Sequence, residues 1–241
     1  MNVGNRIFTQ FKRTDARIIE MFRDIPTSNI NDEINRLYNF HSYMYLLNPE
    51  TFCGSMVGPA LTVKCPTGDN LILHQALDLA LPGDIVVVDA DGISNRSVAG
   101  EIMMRFACKK GIAGIVVDGY MRDLDGIKNL PMPVYARGVT PQGPYKNGPG
   151  EINVPISCGG QVVFPGDVIV GDMDGLVVVR RQDAEELAQI ARAKKEKEDR
   201  SFEKMEKDFA AYCESHKKST AKRMEGKNSV FIESSYVDSY Q

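Results

Sequence analysis

Residues 111–126 read GIAGIVVDGYMRDLDG, an apolar run that gives way to a polar loop. Ile115, Val116 and Val117 are β-branched, a composition that favours a strand. Asp118-Gly119 ends that strand, and the loop after it presents Arg122, Asp123 and Asp125 beyond its carboxyl end. In open α/β sheets that edge is where ligands bind. Taken alone, Arg122 beside Asp123 is also the pattern of a surface ion pair, so the loop gains meaning only from its surroundings.

Outward from this strand the same grammar recurs. Short β-branched runs at 61–64, 85–89, 134–136, 161–164, 168–171 and 175–179 are separated by Gly, Pro and Asp and read as strands. Residues 70–80 and 98–110 are spaced for helices, the first with Asn70 as a possible cap and a stripe of Leu73, Ala76, Leu77 and Ala80. Pro82-Gly83-Asp84 and Pro165-Gly166-Asp167 each precede a strand. Pro fixes φ and Gly takes the unusual dihedrals, so both units turn the chain sharply into a buried strand. A mixed α/β fold follows, a compact sheet or barrel core with helices outside.

The flanks differ. Residues 14–47 are predicted helical, with Thr14 and Asp15 as caps, Ile18, Ile19, Phe22, Ile30, Ile34 and Leu37 at helical spacing, and Pro26 splitting the stretch. From Gln182 a long solvated helix is expected, with Leu187, Ile190, Phe202 and Phe209 as a thin apolar stripe among dense Lys and Glu, followed by a polar tail from Ser215. The organisation predicted is an N-terminal helical segment (1–50), an α/β core (51–181) and a C-terminal helix with tail (182–241).

With 241 residues, 43% of them hydrophobic, the chain can build one substantial core. Its net charge of −3 offers no field for phosphate neutralisation, which argues against a nucleic-acid partner. The start lacks signal-peptide and transit patterns, and no run approaches the ~20 apolar residues of a bilayer span. The expectation is a cytoplasmic protein with no membrane association. Five widely spaced cysteines without a CxxC pair support neither a disulfide framework nor a zinc site.

A second stretch bears on function. Ser94, Ser97, Ala99 and Gly100 lead into a helix beginning near Glu101, and the free N–H groups of a helix start suit an anion such as a carboxylate. His74 could face a pocket or serve as a satisfied structural histidine, and His41 sits in an aromatic stretch that reads as a packed cover. Met103-Met104 reads as core packing.

Together the two stretches carry a resemblance. Glu101, twenty intervening residues, then Arg122-Asp123, with Gly58-Pro59-Ala60-Leu61-Thr62-Val63, Pro82-Gly83-Asp84, Asp118-Gly119 and Gly171-Asp172 through Asp174-Gly175, resemble the RraA-like family of class II aldolases. That family includes 4-hydroxy-4-methyl-2-oxoglutarate aldolases and regulators of ribonuclease activity. The likeness runs from Pro26 to Glu198. Its pattern places a further acid where this chain has Gly126, and Asp125 stands one place early.

The resemblance implies a swivelling β/β/α domain, like phosphohistidine domains, and a trimer or hexamer. It also implies roles. The backbone of Gly100, Glu101, Ile102 and Met103 would hold a substrate carboxylate, Arg122 would bind substrate oxygens, and Asp123 would tether Mg²⁺ or Mn²⁺. Glu101 would orient a water for proton transfer. Glu198, with Glu196 as the near alternative, would reach a neighbouring subunit's site from the C-terminal helix. The activity implied is metal-dependent cleavage of a hydroxy-oxo acid to pyruvate, with oxaloacetate decarboxylation on the side. The alternative is a non-catalytic ring that binds a ribonuclease.

Overall fold

The computed structural model describes residues 2–92, 95–233 and 235, and the chain forms two compact units, residues 1–195 and 196–241. The first opens with α1 (Ala16–Met21), α2 (Thr27–Glu33) and a short strand, β1 (Tyr45–Leu46). Strands and helices then alternate: β2 (Met56–Lys64), α3 (Leu71–Leu79), β3 (Ile85–Asp89), β4 (Ser97–Ala99), α4 (Glu101–Lys109), β5 (Gly114–Met121), α5 (Leu124–Ile127) and β6 (Val134–Val139). Short and antiparallel strands follow: β7 (Glu151–Ile152), β8 (Ile156–Cys158), β9 (Gln161–Val163), β10 (Val168–Asp172) and β11 (Gly175–Val179). Last come α6 (Ala184–Lys207) and α7 (Phe209–Met224).

β2, β3, β5 and β6 are parallel neighbours, and β10 with β11 extends the sheet antiparallel beyond β2. Residues 39–46 reach both outer strands: Asn39 bridges Val177 on β11, and Tyr45 and Leu46 pair with β6. One short segment thus nearly closes the sheet into a barrel.

Side-chain alternation along the central strands builds the layers. Val86 and Val88 of β3 and Ile115 and Val117 of β5 pack with Leu73 and Leu77 of α3 and Met104 of α4. On the opposite face, Ile85, Val87 and Val116 pack with Ile156, Cys158 and Val163 of the β8–β9 hairpin. Helices, sheet and hairpin form the β/β/α layering expected of the family. A third cluster joins Phe22, Ile25 and Ile30 to β10, β11 and the start of α6 through Leu187, Ala188 and Ala191.

The two Pro-Gly-Asp units share a local device. Asp84 accepts from the amide of Leu81 at 2.8 Å and Asp167 from that of Phe164 at 3.0 Å, each closing the turn three residues back. Each carboxylate is then paired with a cation, Arg13 for Asp84 and Arg180 for Asp167.

The flanks depart from expectation. Asp15 caps α1 and Pro26 separates α1 from α2, but α2 stops at Glu33 because Asn35 and Arg36 take left-handed backbone (φ 56° and 62°). Leu37 is 65% exposed, so no apolar contact draws the helix onward. Thr14 is no cap: its hydroxyl donates to the carbonyl of Gly166 at 2.7 Å. Within the C-terminal unit the helix expected to run up to the tail at Ser215 is broken at Asp208, whose side chain caps α7 by accepting from the amide of Ala211 at 3.0 Å. That cap carries helix through Met224, where a polar tail was expected.

Among the described residues no helix is long and apolar enough to cross a membrane. Cys65 and Cys158 are buried thiols, and burial pushes Cys65 up to about 12.

Asn48 locks the entry to β6. It is fully buried, donates from Nδ2 to the carbonyls of Leu130 (2.8 Å) and Met132 (2.9 Å), and accepts from the amide of Val134 (3.1 Å). Asn48→Ala strips this partner from the carbonyl of Met132 and the amide of Val134, while the carbonyl of Leu130 keeps the hydroxyl of Thr51 at 2.7 Å, and urea denaturation should show a loss of about 3 kcal/mol. A loss below about 1 kcal/mol would mean that water replaces the side chain.

Candidate active site

β5 ends at Met121, and the next two residues are Arg122 and Asp123, the pair singled out in the sequence. The amide of Arg122 donates to the carbonyl of Ala99 at 3.0 Å, which ties the loop to the end of β4 beside the start of α4. Asp123 is left-handed (φ 60°) and N-caps α5, a conformation that Asp tolerates better than most residues. Its carboxylate turns back to α4, where Oδ2 accepts from the amide of Glu101 at 3.1 Å and lies 3.5 Å from Nε of Arg122.

Gly100 makes this approach possible. A Cβ there would lie 2.2 Å from Oδ2 of Asp123 and 2.9 Å from Cγ of Arg122. The glycine is therefore required by crowding, its backbone being extended. Of the α4 amides, that of Glu101 is engaged by Asp123, while those of Ile102 and Met103 have no intrahelical acceptor.

These groups line a cavity of about 340 Å³, which holds Gly100, Ile102, Met103, Arg122 and Asp123 together. Glu101 points elsewhere. Its carboxylate pairs with Arg105 at 2.6 Å, one turn along α4, and covers Gly126, where a Cβ would lie 2.1 Å from its Cδ. The place where the family pattern has its second acid is thus filled by the longer side chain of Glu101. Asp125 is exposed in the first turn of α5. Glu198 stands on α6 in the second compact unit, partly exposed. Ser94 lies outside the described residues, and Ser97 is fully buried with its hydroxyl donating to the carbonyl of Gln142.

The far wall of the cavity comes from His74, one of whose two sequence readings is a pocket-facing residue, and from residues that the sequence did not single out for binding. Asn70 and His74, one turn apart at the start of α3, face it together with Lys146. Three buried polar atoms there lack a hydrogen-bond partner: Oδ1 of Asn70, Nε2 of His74 and Nε of Arg122. His74 thus turns a ring nitrogen without a protein partner toward this wall. Burial, then the charge of Lys146, lowers its pKa below the ordinary imidazole value. A signal was present in the i, i+4 spacing of Asn70 and His74, but nothing in the sequence marks Lys146. His41 lies with Phe40 at a different, smaller cavity.

Among the described residues no three His, Cys, Asp or Glu side chains cluster as a ready-made metal cage. Asp123, its side chain 45% exposed, is a single hard oxygen donor at the cavity. That donor set fits Mg²⁺ or Mn²⁺, which keep waters and take few protein ligands, and does not fit zinc. Asp118 is structurally committed: it accepts from the amide of Gly159 at 2.7 Å and pairs with Arg137.

Comparison with known proteins places this geometry in context. The RraA-like family pattern, described as Aldolase/RraA, matches residues 27–178. A protein of Halalkalibacterium halodurans named "Putative 4-hydroxy-4-methyl-2-oxoglutarate aldolase" is 43% identical over 192 residues, covering 80% of this chain and 90% of that protein. A crystal structure of an uncharacterized Pseudomonas syringae protein superposes with TM-score 0.70 at 27% identity, covering 82% of this chain and 96% of the other. Streptomyces coelicolor RraAS2, described as an unusual member of the RNase ES inhibitor RraA family, superposes with TM-score 0.69 at 28% identity, covering 80% and 98%. On the extent of the pattern and the identity to the Halalkalibacterium protein, this chain belongs to the RraA-like family.

Proposed function

We propose that the chain is a divalent-metal-dependent lyase that cleaves a 4-hydroxy-2-oxo acid to pyruvate and a second carbonyl compound, and that decarboxylates oxaloacetate as a side reaction. The observation that carries this reading is the guanidinium of Arg122 beside the carboxylate of Asp123, 3.5 Å apart, in a cavity that the start of α4 also lines. In the aldol cleavage the C3–C4 bond breaks, the C4 hydroxyl loses its proton, and the electron pair collects on the keto oxygen as an enolate. The decarboxylation passes through the same enolate, with carbon dioxide leaving in place of the aldehyde or ketone.

Each residue has a part in that charge movement. Arg122 stays protonated and stabilises the oxyanion where it forms. The amides of Ile102 and Met103 bind the carboxylate next to the keto group. Asp123 is the residue that would hold Mg²⁺ or Mn²⁺, which when bound supplies a Lewis acid for the same oxygen. Proton transfer falls to a carboxylate acting through water: Glu101, once it swings from Arg105, or Glu198 contributed by a neighbouring subunit. The last assignment makes the active form a homo-oligomer, a trimer or hexamer, with the C-terminal helix reaching across.

Pyruvate release from 4-hydroxy-4-methyl-2-oxoglutarate and from oxaloacetate should require Mg²⁺ or Mn²⁺ and vanish with chelator. Asp123→Ala should lower kcat/KM on both by about 10³-fold or more. An unimpaired Asp123→Ala variant rejects the assignment, and absence of metal-dependent turnover on either substrate would leave a protein-binding role as the better reading.

Gly100→Ala tests the geometry without removing a functional group. The added methyl displaces the Asp123 carboxylate or Arg122, and kcat/KM should fall about 10²-fold, while the melting temperature changes far less than activity does. Retained activity in that variant would separate the crowding at Gly100 from catalysis.

A further inference from the structure

Asn70 is 2% exposed and occupies the N-cap position of α3, yet its side chain makes no capping bond. Nδ2 donates instead to the carbonyl of Val98 at 2.8 Å and to Sδ of Met103 at 3.4 Å. Both partners can only accept, so the amide orientation is fixed by chemistry and Oδ1 is the atom left over. That oxygen is buried and without a partner, and Asn70 lines the cavity that contains Arg122 and Asp123. A buried acceptor left unpaired in a polar cavity is costly, and native structures keep few. Nothing in the packing of α3 calls for one here.

The missing partner must be a hydrogen-bond donor, which is a demanding condition for this class of substrate. At neutral pH the carboxylates and the keto oxygen of a 4-hydroxy-2-oxo acid only accept. Its C4 hydroxyl is the single donor it carries. With the oxo-acid end held by Arg122 and the α4 amides as proposed, C4 and its hydroxyl would reach into the remaining space of the cavity, which Asn70 lines.

We infer that Asn70 is a specificity-determining residue whose Oδ1 accepts a hydrogen bond from the C4 hydroxyl of the substrate, favouring hydroxy-oxo acids over oxo acids that lack that group. The inference rests on the proposed lyase reading and adds to it the feature of the substrate that is recognised. Discrimination of this kind can be steep, because an analogue without the hydroxyl leaves the buried oxygen unpaired again.

The test compares two substrates in two proteins. Asn70→Ala should lower kcat/KM for 4-hydroxy-4-methyl-2-oxoglutarate about tenfold or more relative to its effect on oxaloacetate, which has no C4 hydroxyl. Parallel losses on both substrates would assign Asn70 a structural role through Val98 and Met103, and no loss on either would also overturn the inference. Should the variant fail to fold, the wild type carries the comparison. As competitors of oxaloacetate, 4-hydroxy-2-oxoglutarate should bind about tenfold more tightly than 2-oxoglutarate, and equal inhibition refutes the proposal. If the wild type turns over neither substrate, the lyase reading fails separately. Calorimetry of the same two ligands with Mg²⁺ then decides: a preference for the hydroxylated one supports the acceptor, and equal or absent binding overturns it.

Discussion

The carboxylate of Asp123 accepts a hydrogen bond from the amide of Glu101 at 3.1 Å, and by doing so fastens the loop after β5 to the first turn of α4. Both ends of this contact are constrained. The carbonyl of Asp123 accepts from the amides of Gly126 and Ile127, each at 3.1 Å, which starts α5 and holds the residue in its left-handed backbone. On the other side, only a residue without Cβ at position 100 lets the carboxylate approach. The left-handed conformation costs on the order of 1–2 kcal/mol, and strain of that kind persists where surrounding contacts over-determine it. Arg122, Asp123 and the α4 amides keep their relative positions because this bond, together with that from the amide of Arg122 to the carbonyl of Ala99, makes them a single assembly.

Much of the fold was legible because burial on both faces of the parallel strands leaves uninterrupted apolar runs. The runs at 85–89 and 115–118 appear as strands within a residue or a few of their observed limits. What was not legible depends on long-range partners. β1 and β7 are two-residue strands that depend on pairing with β6 and with the end of β2 beyond β10, and no local pattern distinguishes them from loop. The N-terminal stretch shows the opposite failure. Its apolar spacing continues past Glu33, but left-handed backbone at Asn35 and Arg36 turns the chain away, and Phe40 is carried to β11 to accept a place beside Leu176.

In the site, legibility followed sequence proximity. Arg122 and Asp123 are adjacent, and Gly100 to Met103 form one helix start, so a linear reading finds both. The distal wall is assembled from α3 and the loop holding Gly143, Pro144 and Lys146, brought together by the sheet. Asn70 was read as a cap from its residue type and position. Its amide instead serves Val98, a bond between elements that spacing cannot forecast. Glu101 and Gly126 are a related case. The absence of an acid at 126 looks like a defect in the pattern, until the glycine is seen to make room for the carboxylate of Glu101.

The cavity separates two physical tasks. Near α4, helix N–H groups, a guanidinium and a carboxylate able to take a hard cation form an environment suited to negative charge on oxygen. Across from them, Asn70 is neutral, and burial together with Lys146 disfavours the protonated form of His74. Beside the charge of Lys146, that wall therefore offers neutral polar atoms, an unpaired acceptor on Asn70 and an unpaired ring nitrogen on His74. On the proposed reading, charge near α4 sets where the bond-breaking electrons collect, and the neutral polar atoms opposite, beside Lys146, help to choose the molecule that supplies them.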